Sequence, residues 1–194
     1  MAVPPALTKE GYEIHFGTNH LGHALLIRLL LPIIQKTPDG RVISITSTAH
    51  FYPPSEGIPF ETLKTTRSSG LGAPGYNYSI SKLANVLYVQ ELARRNPTIT
   101  FIAVHPGTVA TALIASQTLA MRIIIRLTNP MGYLSPEQGA HSQLWAATTQ
   151  LKNLTNGAYY EPVGEKGRET KHTKDKQLAK KLFDYTELEL HPYL

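Results

Sequence analysis

Two kinds of segment alternate along the 194-residue chain. Helical segments, indicated by amphipathic spacing, strong helix formers or an N-terminal capping pattern, cover residues 10–35, 78–95, 135–149 and 175–185. Short apolar runs typical of buried strands cover residues 41–47, 98–104 and 158–161. Crossovers of this length between strands predict one α/β domain over residues 1–194, a parallel sheet with helices on its faces.

Three chemically useful segments come to one edge of this predicted sheet. Ser47 ends the first strand, residues 106–111 follow the second strand, and Tyr78 opens the helix between them. Ligands bind beyond the carboxyl ends of the strands in sheets of this kind. The sequence therefore predicts a functional site at that edge.

Tyr78 and Lys82 lie one helical turn apart, on the same face of their helix. A free phenol titrates near pH ~10 and is a poor proton donor or acceptor at neutral pH. A neighbouring ammonium stabilises the phenolate, so we expect Lys82 to lower the pKa of Tyr78. Many helices carry this pair by chance, and the prediction of a general acid/base therefore depends on the segments around it. Tyr76 is a weaker candidate, because Ile80 stands where its lysine would be.

Composition and charge narrow the kind of partner. Hydrophobic residues make up 42% of the chain and charged residues 17%, which is ordinary for a soluble globular protein. The formal net charge of +5 owes much to basic residues near the carboxyl terminus, which we interpret as a solvated loop and helix face. No aromatic interleaving or nucleic-acid motif accompanies them, so we predict no nucleic-acid partner.

The chain has no cysteine, which excludes disulfides, thiolate catalysis and thiolate metal sites and fits a reducing compartment. The apolar run 24–34 is interrupted by Arg28 and Pro32 and is too short to span a bilayer. The first residues contain no apolar signal region. We expect a cytoplasmic protein without a transmembrane segment.

Six segments together resemble the short-chain dehydrogenase/reductase family, in the branch that includes retinol-dehydrogenase-like oxidoreductases. They occur in family order and comprise residues 16–23, 41–50, 78–85, 91–95, 104–111 and 135–140. The resemblance implies the carboxyl-terminal part of a Rossmann-type doubly wound parallel sheet with three αβα layers. It also implies an oxidoreductase that interconverts an alcohol and a carbonyl with NADP or NAD, NADP being favoured.

The resemblance implies a role for several residues. Tyr78 would exchange a proton with the substrate oxygen, and Ser47 would hydrogen-bond that oxygen. Lys82 would lower the pKa of Tyr78 and bind the nicotinamide ribose, and Asn19 would hold a helix irregularity and a water that links Lys82 to solvent. The loop after the second strand would contact the nicotinamide carboxamide, through Pro106, Gly107, Val109 and Thr111. Simpler roles are also open, since Ser47 or Thr111 could be a capping residue and Asn19 a helix-face amide.

Nothing before Glu10 resembles the glycine-rich first βαβ unit with which family members begin. We therefore expect the amino-terminal half of the domain to be absent. Its absence would leave the strand that ends in Ser47 with an unpaired apolar edge and would impair cofactor binding and turnover. Residues 70–75 fit the G-x-G-x-x-G pattern but follow polar residues rather than a strand, so we interpret them as a loop.

Three other functions stay open at this point. A catalytically inactive remnant that acts as a binding or regulatory protein would share every motif above. A serine hydrolase using Ser47 and His50 lacks the G-x-S-x-G elbow and an acidic orienting residue. A metal site from His20 and His23 lacks convincing further ligands, so we predict no bound metal.

The apolar residues between positions 112 and 134 suggest a small lipophilic carbonyl or alcohol as substrate, because this segment closes over the substrate in the family. A packing helix is the alternative interpretation of the same residues. Relatives often form dimers through the helices equivalent to 10–35 and 78–95, so the resemblance also implies a homo-oligomer.

Overall fold

The computed structural model describes residues 3–66, 73–110, 119, 122–123 and 132–194, with the backbone alone at 73 and 74. The strands are β1 (Arg41–Ile45), β2 (Thr100–Val104), β3 (Tyr159–Glu161) and β4 (Glu165–Lys166). Helix α1 covers residues 14–34 in three parts that are described below. The other helices are α2 (Ala73–Arg95), α3 (Pro136–Thr148) and α4 (Lys176–Leu190). Short 3₁₀ turns cover Thr48–Phe51, Phe60–Thr62, Leu151–Asn153 and His191–Tyr193. This element order confirms the predicted α/β class.

The sheet order is β1-β2-β3-β4. β1 and β2 run parallel in register from Arg41 beside Thr100 to Ile45 beside Val104, and β3 runs parallel to β2. β4 is antiparallel to β3 and was not predicted, because only two residues form it. Gly164, with φ +78°, provides the left-handed residue of the turn between β3 and β4. In the described residues β1 is therefore an edge strand, as the sequence predicts.

The two faces of the sheet carry different helices, which confirms the three-layer arrangement. Phe101 and Ala103 of β2 pack into the core on the α2 side, whereas Ile102 and Val104 pack with Ala146 of α3 on the opposite side. Successive side chains of a strand point to opposite faces, so both sets are buried. This explains why β2 is an almost continuous apolar run in the sequence.

Helix α1 consists of an α-helical turn, Ile14–Phe16, a π-helical segment, Gly17–Leu21, and a longer α-helical part, Gly22–Ile34. Glu13 caps its first turn, so the helix begins four residues later than predicted. The π-helical segment includes Asn19, where the family resemblance implies an irregularity. π-helical turns insert an extra residue and are frequent at functional sites.

Helix α2 is covered on most sides by the sheet, α1 and α4. Most side chains from Asn77 to Ala93 are buried. Helix α2 therefore offers little exposed surface for the predicted contact between two copies of the chain. Helix α1 differs, because Leu26, Leu29 and Ile33 are exposed along it.

Helix α3 begins as predicted, with Ser135 as N-cap and Pro136 as its first residue. Ser135 and Gln138 form a reciprocal capping box. Helix α4 begins after Asp175, whose side chain accepts hydrogen bonds from the backbone N–H groups of Gln177 and Leu178. None of the helices in the described ranges is long and apolar enough to cross a membrane.

Candidate active site

Ser47, Tyr78 and Lys82 lie together at the carboxyl end of β1. The Tyr78 hydroxyl is hydrogen-bonded to the Ser47 side chain. Nζ of Lys82 donates to the Ile45 carbonyl at 3.1 Å and lies 5.6 Å from the centre of the Tyr78 ring. The three side chains that the sequence brings to this edge are therefore neighbours in the fold.

Hydrogen bonds between α2 and the end of β1 hold this arrangement. Oγ1 of Thr46 donates to the Lys82 carbonyl at 2.8 Å, and Nδ2 of Asn85 donates to the Ile45 carbonyl at 3.3 Å. Asn85 follows Lys82 by three residues, so both side chains reach the same strand end. The position of Tyr78 along the sheet is thus fixed by polar groups one turn further along its own helix.

Ser47 has the capping role considered for it, and its side chain also lies at the candidate site. Its backbone is extended, with φ −157° and ψ 154°, and its hydroxyl caps the turn Thr48–Phe51 by accepting from the Ala49 N–H at 3.2 Å. The same hydroxyl faces Tyr78. The cap orients the Ser47 side chain, and a fixed hydroxyl is better suited to hydrogen-bond a reacting oxygen.

The electrostatics of Tyr78 differ from the prediction. Burial raises the pKa of Tyr78, and the hydrogen bond to Ser47 opposes this only in part. Burial also lowers the pKa of Lys82 to about 8, and its ammonium group is directed to the Ile45 carbonyl. Burial outweighs any stabilisation of the phenolate, so the pKa of Tyr78 is raised, whereas the sequence predicts a lowered one. A phenol with a raised pKa stays protonated at neutral pH but is a weaker acid than a free phenol, so proton transfer from it needs a charge that stabilises the phenolate.

Asn19 joins α1 to α2 beside the candidate site. Its Nδ2 donates to Oγ of Ser81 at 3.0 Å, and Oγ of Ser81 donates to the Tyr78 carbonyl at 2.8 Å. The Asn19 carbonyl accepts a hydrogen bond from Nδ1 of His23 at 3.0 Å. Asn19 thus lies next to the turn of α2 that carries Tyr78 and Lys82.

The loop after β2 lies at the same edge of the sheet. Gly107 has φ +87°, and a Cβ there would come within 2.5 Å of the Leu134 side chain, so glycine is required. Val109 forms a parallel bridge with Leu134 and packs against Gly139 of α3. Pro106, Gly107 and Val109 are therefore held beyond the strand end, whereas Thr111 lies outside the described residues, as does most of the apolar segment 112–134.

Three residues that the sequence interpretation did not select lie near this site. Burial, together with the nearby charges of His50 and Lys82, lowers the pKa of His105 to about 4. Glu13 and His15 are buried at the start of α1, where the His15 ring meets the Tyr78 ring edge-on, with 6.2 Å between ring centres. An acidic residue at a helix start signals a cap, but nothing in the spacing of Glu13 and His15 indicates contact with Tyr78.

The geometry disfavours the metal and hydrolase alternatives. His20 turns into the core, where its Nε2 lies 2.9 Å from Oγ1 of Thr186, while His23 is exposed. No group of three potential metal ligands occurs within the described parts of the chain. Nδ1 of His50 donates to the backbone carbonyl of Ser47 at 2.7 Å rather than bonding to its hydroxyl, so His50 does not activate that hydroxyl.

Comparison with known proteins agrees with the fold. Residues 13–154 match the NAD dependent epimerase/dehydratase family. Human retinol dehydrogenase 12 is 35% identical over 162 residues, covering 82% of this chain and 49% of that protein. Mouse retinol dehydrogenase 14 is 33% identical over 190 residues, covering 95% of this chain and 54% of that protein. The chain thus spans about half the length of the curated relatives it matches.

Among solved structures, a crystal structure of an uncharacterised protein from Mycobacterium Paratuberculosis superposes with a TM-score of 0.72 at 32% identity. The match covers 98% of this chain and 63% of the other. The chain therefore belongs to the NAD dependent epimerase/dehydratase family. Its relatives also identify it as a short-chain dehydrogenase/reductase of the retinol-dehydrogenase-like branch.

Proposed function

We propose that this chain carries the proton-transfer part of an NAD(P)-dependent oxidoreductase that interconverts a lipophilic alcohol and the corresponding carbonyl. The supporting observation is the convergence of Ser47, Tyr78 and Lys82 at the carboxyl end of β1. A hydroxyl, a protonated phenol and an ammonium group within one corner can bind a carbonyl oxygen and protonate it.

Each of the three side chains has a distinct task in carbonyl reduction. The Tyr78 hydroxyl donates its proton to the carbonyl oxygen as that oxygen gains negative charge, and its raised pKa keeps it protonated beforehand. The Ser47 hydroxyl donates a hydrogen bond to the same oxygen. The positive charge of Lys82, next to the Tyr78 ring, stabilises the phenolate that remains. In alcohol oxidation the same proton returns to Tyr78.

The residues at this corner suit the nicotinamide end of the cofactor. Lys82 would hold the ribose hydroxyls, and the loop at Pro106, Gly107 and Val109 would face the carboxamide; the bound cofactor supplies or accepts the hydride. A glycine-rich turn that opens a helix binds the cofactor pyrophosphate in such folds, and within the described ranges none follows β1, β2 or β3. We therefore assign these residues to the nicotinamide end alone. The proposed contact of Thr111 with the cofactor rests on the family resemblance.

Two observations support a lipophilic substrate. The segment between 112 and 134 is strongly apolar, and the matched relatives named above are retinol dehydrogenases, which are named for an apolar alcohol. Both support a small lipophilic carbonyl or alcohol rather than a charged metabolite.

The test is to purify the chain and follow the oxidation of NADPH and of NADH in the presence of decanal and of all-trans-retinal. Calorimetry with each cofactor alone measures binding separately from turnover. We expect turnover that requires both cofactor and aldehyde and is impaired in the chain alone. A second sample adds the amino-terminal βαβ half of a retinol dehydrogenase as a separate chain, because impaired cofactor binding would be corrected by it.

Failure of both samples to turn over, with no cofactor binding in either, would overturn the proposal. It would favour the alternative of a catalytically inactive binding or regulatory protein. Turnover only in the second sample would support the assignment of the proton-transfer residues and would show that this chain alone binds cofactor too weakly.

A further inference from the structure

Glu13 and His15 form a buried pair at the start of α1. Their side chains are only 6% and 4% exposed, and Oε1 of Glu13 lies 2.7 Å from Nδ1 of His15. Oε2 of Glu13 accepts from the backbone N–H groups of His15 and Phe16, each at 2.9 Å. The backbone N–H of Glu13 donates to the Leu63 carbonyl at 2.8 Å, which fixes the chain before the helix.

The hydrogen bond to Glu13 determines which ring nitrogen of His15 carries the hydrogen. A carboxylate oxygen only accepts, so Nδ1 is the donor and a neutral ring presents a lone pair at Nε2. Nε2 is buried and has no hydrogen-bond partner in the described part of the chain. The tautomer and the orientation of the ring are therefore set from one side, by Glu13.

The ring held in this way packs against the proposed proton donor. The His15 and Tyr78 rings meet at 71°, with 6.2 Å between their centres. One turn further along the same two helices, Nδ2 of Asn19 donates to Oγ of Ser81. The contacts at His15 and at Asn19 together define how α1 sits on the turn of α2 that carries Tyr78.

From this geometry we infer that Glu13 and His15 are positioning residues for Tyr78: Glu13 fixes the imidazole ring, and the ring fixes the phenol. This rests on the proposed function of Tyr78 as the proton donor. A misplacement of about 1 Å of a reacting group costs up to ~10²-fold in rate, so the pair contributes to kcat rather than to substrate binding.

The central variant is Glu13→Gln, which keeps an oxygen for the two backbone N–H groups but replaces the other oxygen by an amide donor. The amide can bond Nδ1 of His15 only if the ring hydrogen moves to Nε2. We expect ¹⁵N spectra of labelled histidine to show hydrogen at Nδ1 of His15 in the original protein and at Nε2 in the variant. With NADPH and decanal, we expect kcat to fall by about tenfold or more, while KM stays within about twofold.

The matched control is Asp175→Asn, the same change at the N-cap of α4, which contacts no residue of the candidate site. It should leave kcat and the His15 signals unchanged. A second variant, His15→Asn, offers its amide N–H to Glu13 but removes the ring. If the pair acts through the ring, kcat falls in His15→Asn as well; if His15 only satisfies Glu13, this variant behaves like the original protein and the inference is wrong.

A readout that does not need turnover separates this inference from the proposed function. With ¹³C-labelled tyrosine, the Cζ signal of Tyr78, assigned with Tyr78→Phe, should shift in Glu13→Gln and in His15→Asn but not in Asp175→Asn. Absence of turnover in every sample would contradict the proposed function only. An unmoved Tyr78 signal in a variant whose His15 tautomer has changed would overturn the inference, as would hydrogen at Nε2 in the original protein.

Discussion

Two regions of the molecule bury polar side chains: the contact between α1 and α2, and the carboxyl ends of β1 and β2. The regions differ in how many of these buried polar atoms have a hydrogen-bond partner. Between the helices most of them are hydrogen-bonded, Asn19 to Ser81 and His20 to Thr186 and Asn85. Nε2 of His15 is the exception there. At the strand ends, Nε2 of His50 and Nδ1 of His105 are buried without a hydrogen-bond partner among the described residues.

Different forces therefore hold the two regions. Hydrogen bonds of defined geometry set the register of the helices. Ring packing holds His50, whose ring lies 4.1 Å from that of Phe51 and 4.5 Å from that of Tyr159, measured between centres. The helix contact helps to place Tyr78, while at the strand ends rings pack around His50, which bonds the Ser47 carbonyl. Four experiments test this contrast, from the largest expected effect to the smallest.

Replacing Tyr78 by Phe removes the hydroxyl of the residue placed by the helix contact and leaves its ring against His15. We expect kcat to fall by about 10²- to 10⁴-fold, the usual contribution of a general acid, with little change in thermal stability. Steady-state turnover of aldehyde with NADPH measures this. Tyr76→Phe is the matched control on the same helix; comparable losses in both variants would contradict the selection of Tyr78.

Replacing Tyr159 by Ala tests whether ring packing holds the strand ends. The side chain is 6% exposed and contacts the rings of His50 and Phe51, so we expect a loss of about 3–5 kcal/mol in the free energy of unfolding. Urea denaturation measures it. Tyr159→Phe keeps the ring and should cost much less. A large cost for Tyr159→Phe would mean that the hydroxyl, rather than the ring, carries the stability.

The pH dependence of stability compares the histidines of the two regions. Burial lowers the pKa of His20, His50 and His105 to about 4 each, below their ordinary value. Between pH ~6.5 and pH ~4 the unfolded chain binds protons that the folded chain does not, so stability falls with falling pH by up to ~1.4 kcal/mol per pH unit for each histidine.

Urea denaturation across this pH window measures the slope. His20→Gln and His50→Asn should each reduce it, one from each region, and the exposed His23→Gln should not. An unchanged slope in His50→Asn would mean that the ring is protonated in the folded state, which would contradict packing of a neutral ring at the strand ends.

The smallest effect is expected from the hydrogen bond between Asn19 and Ser81. In a double-mutant cycle of Asn19→Ala and Ser81→Ala, we expect a coupling energy of about 1 kcal/mol in the free energy of unfolding. A cycle between Asn19→Ala and Ser142→Ala, on the other face of the sheet, should show no coupling. Absence of coupling between Asn19 and Ser81 would remove one of the contacts that we hold responsible for the helix register.

Much of the fold could be predicted from local pattern. The apolar run 98–104 predicts a strand buried on both faces, and β2 is that strand. It is shorter than predicted, Thr100–Val104, because the chain first turns after Pro97. The start of α3 followed from Ser135 and Pro136. The two-residue strand β4 carries too few residues for any periodicity, so it was not predicted.

The sequence predicted which side chains meet at the candidate site, but it did not predict their pKa shifts or the hydrogen bond of the Lys82 ammonium group. The sequence spacing brings Lys82 to the same face as Tyr78, yet spacing does not give the direction of the ammonium group, which bonds the Ile45 carbonyl. It also does not give the burial that raises the pKa of Tyr78. Glu13 and His15 were missed because His15, which Glu13 holds, meets Tyr78 from another helix, more than sixty positions away in the sequence.

The sequence by itself determined the order of strands and helices, the edge at which Ser47, Tyr78 and Lys82 gather, and the family, because these depend on residue type and local spacing. Only the tertiary structure decided how the charges of that site behave and which buried pair stands beside it. Burial and hydrogen bonding between distant segments control proton affinity, and neither is a property of neighbouring residues in the chain.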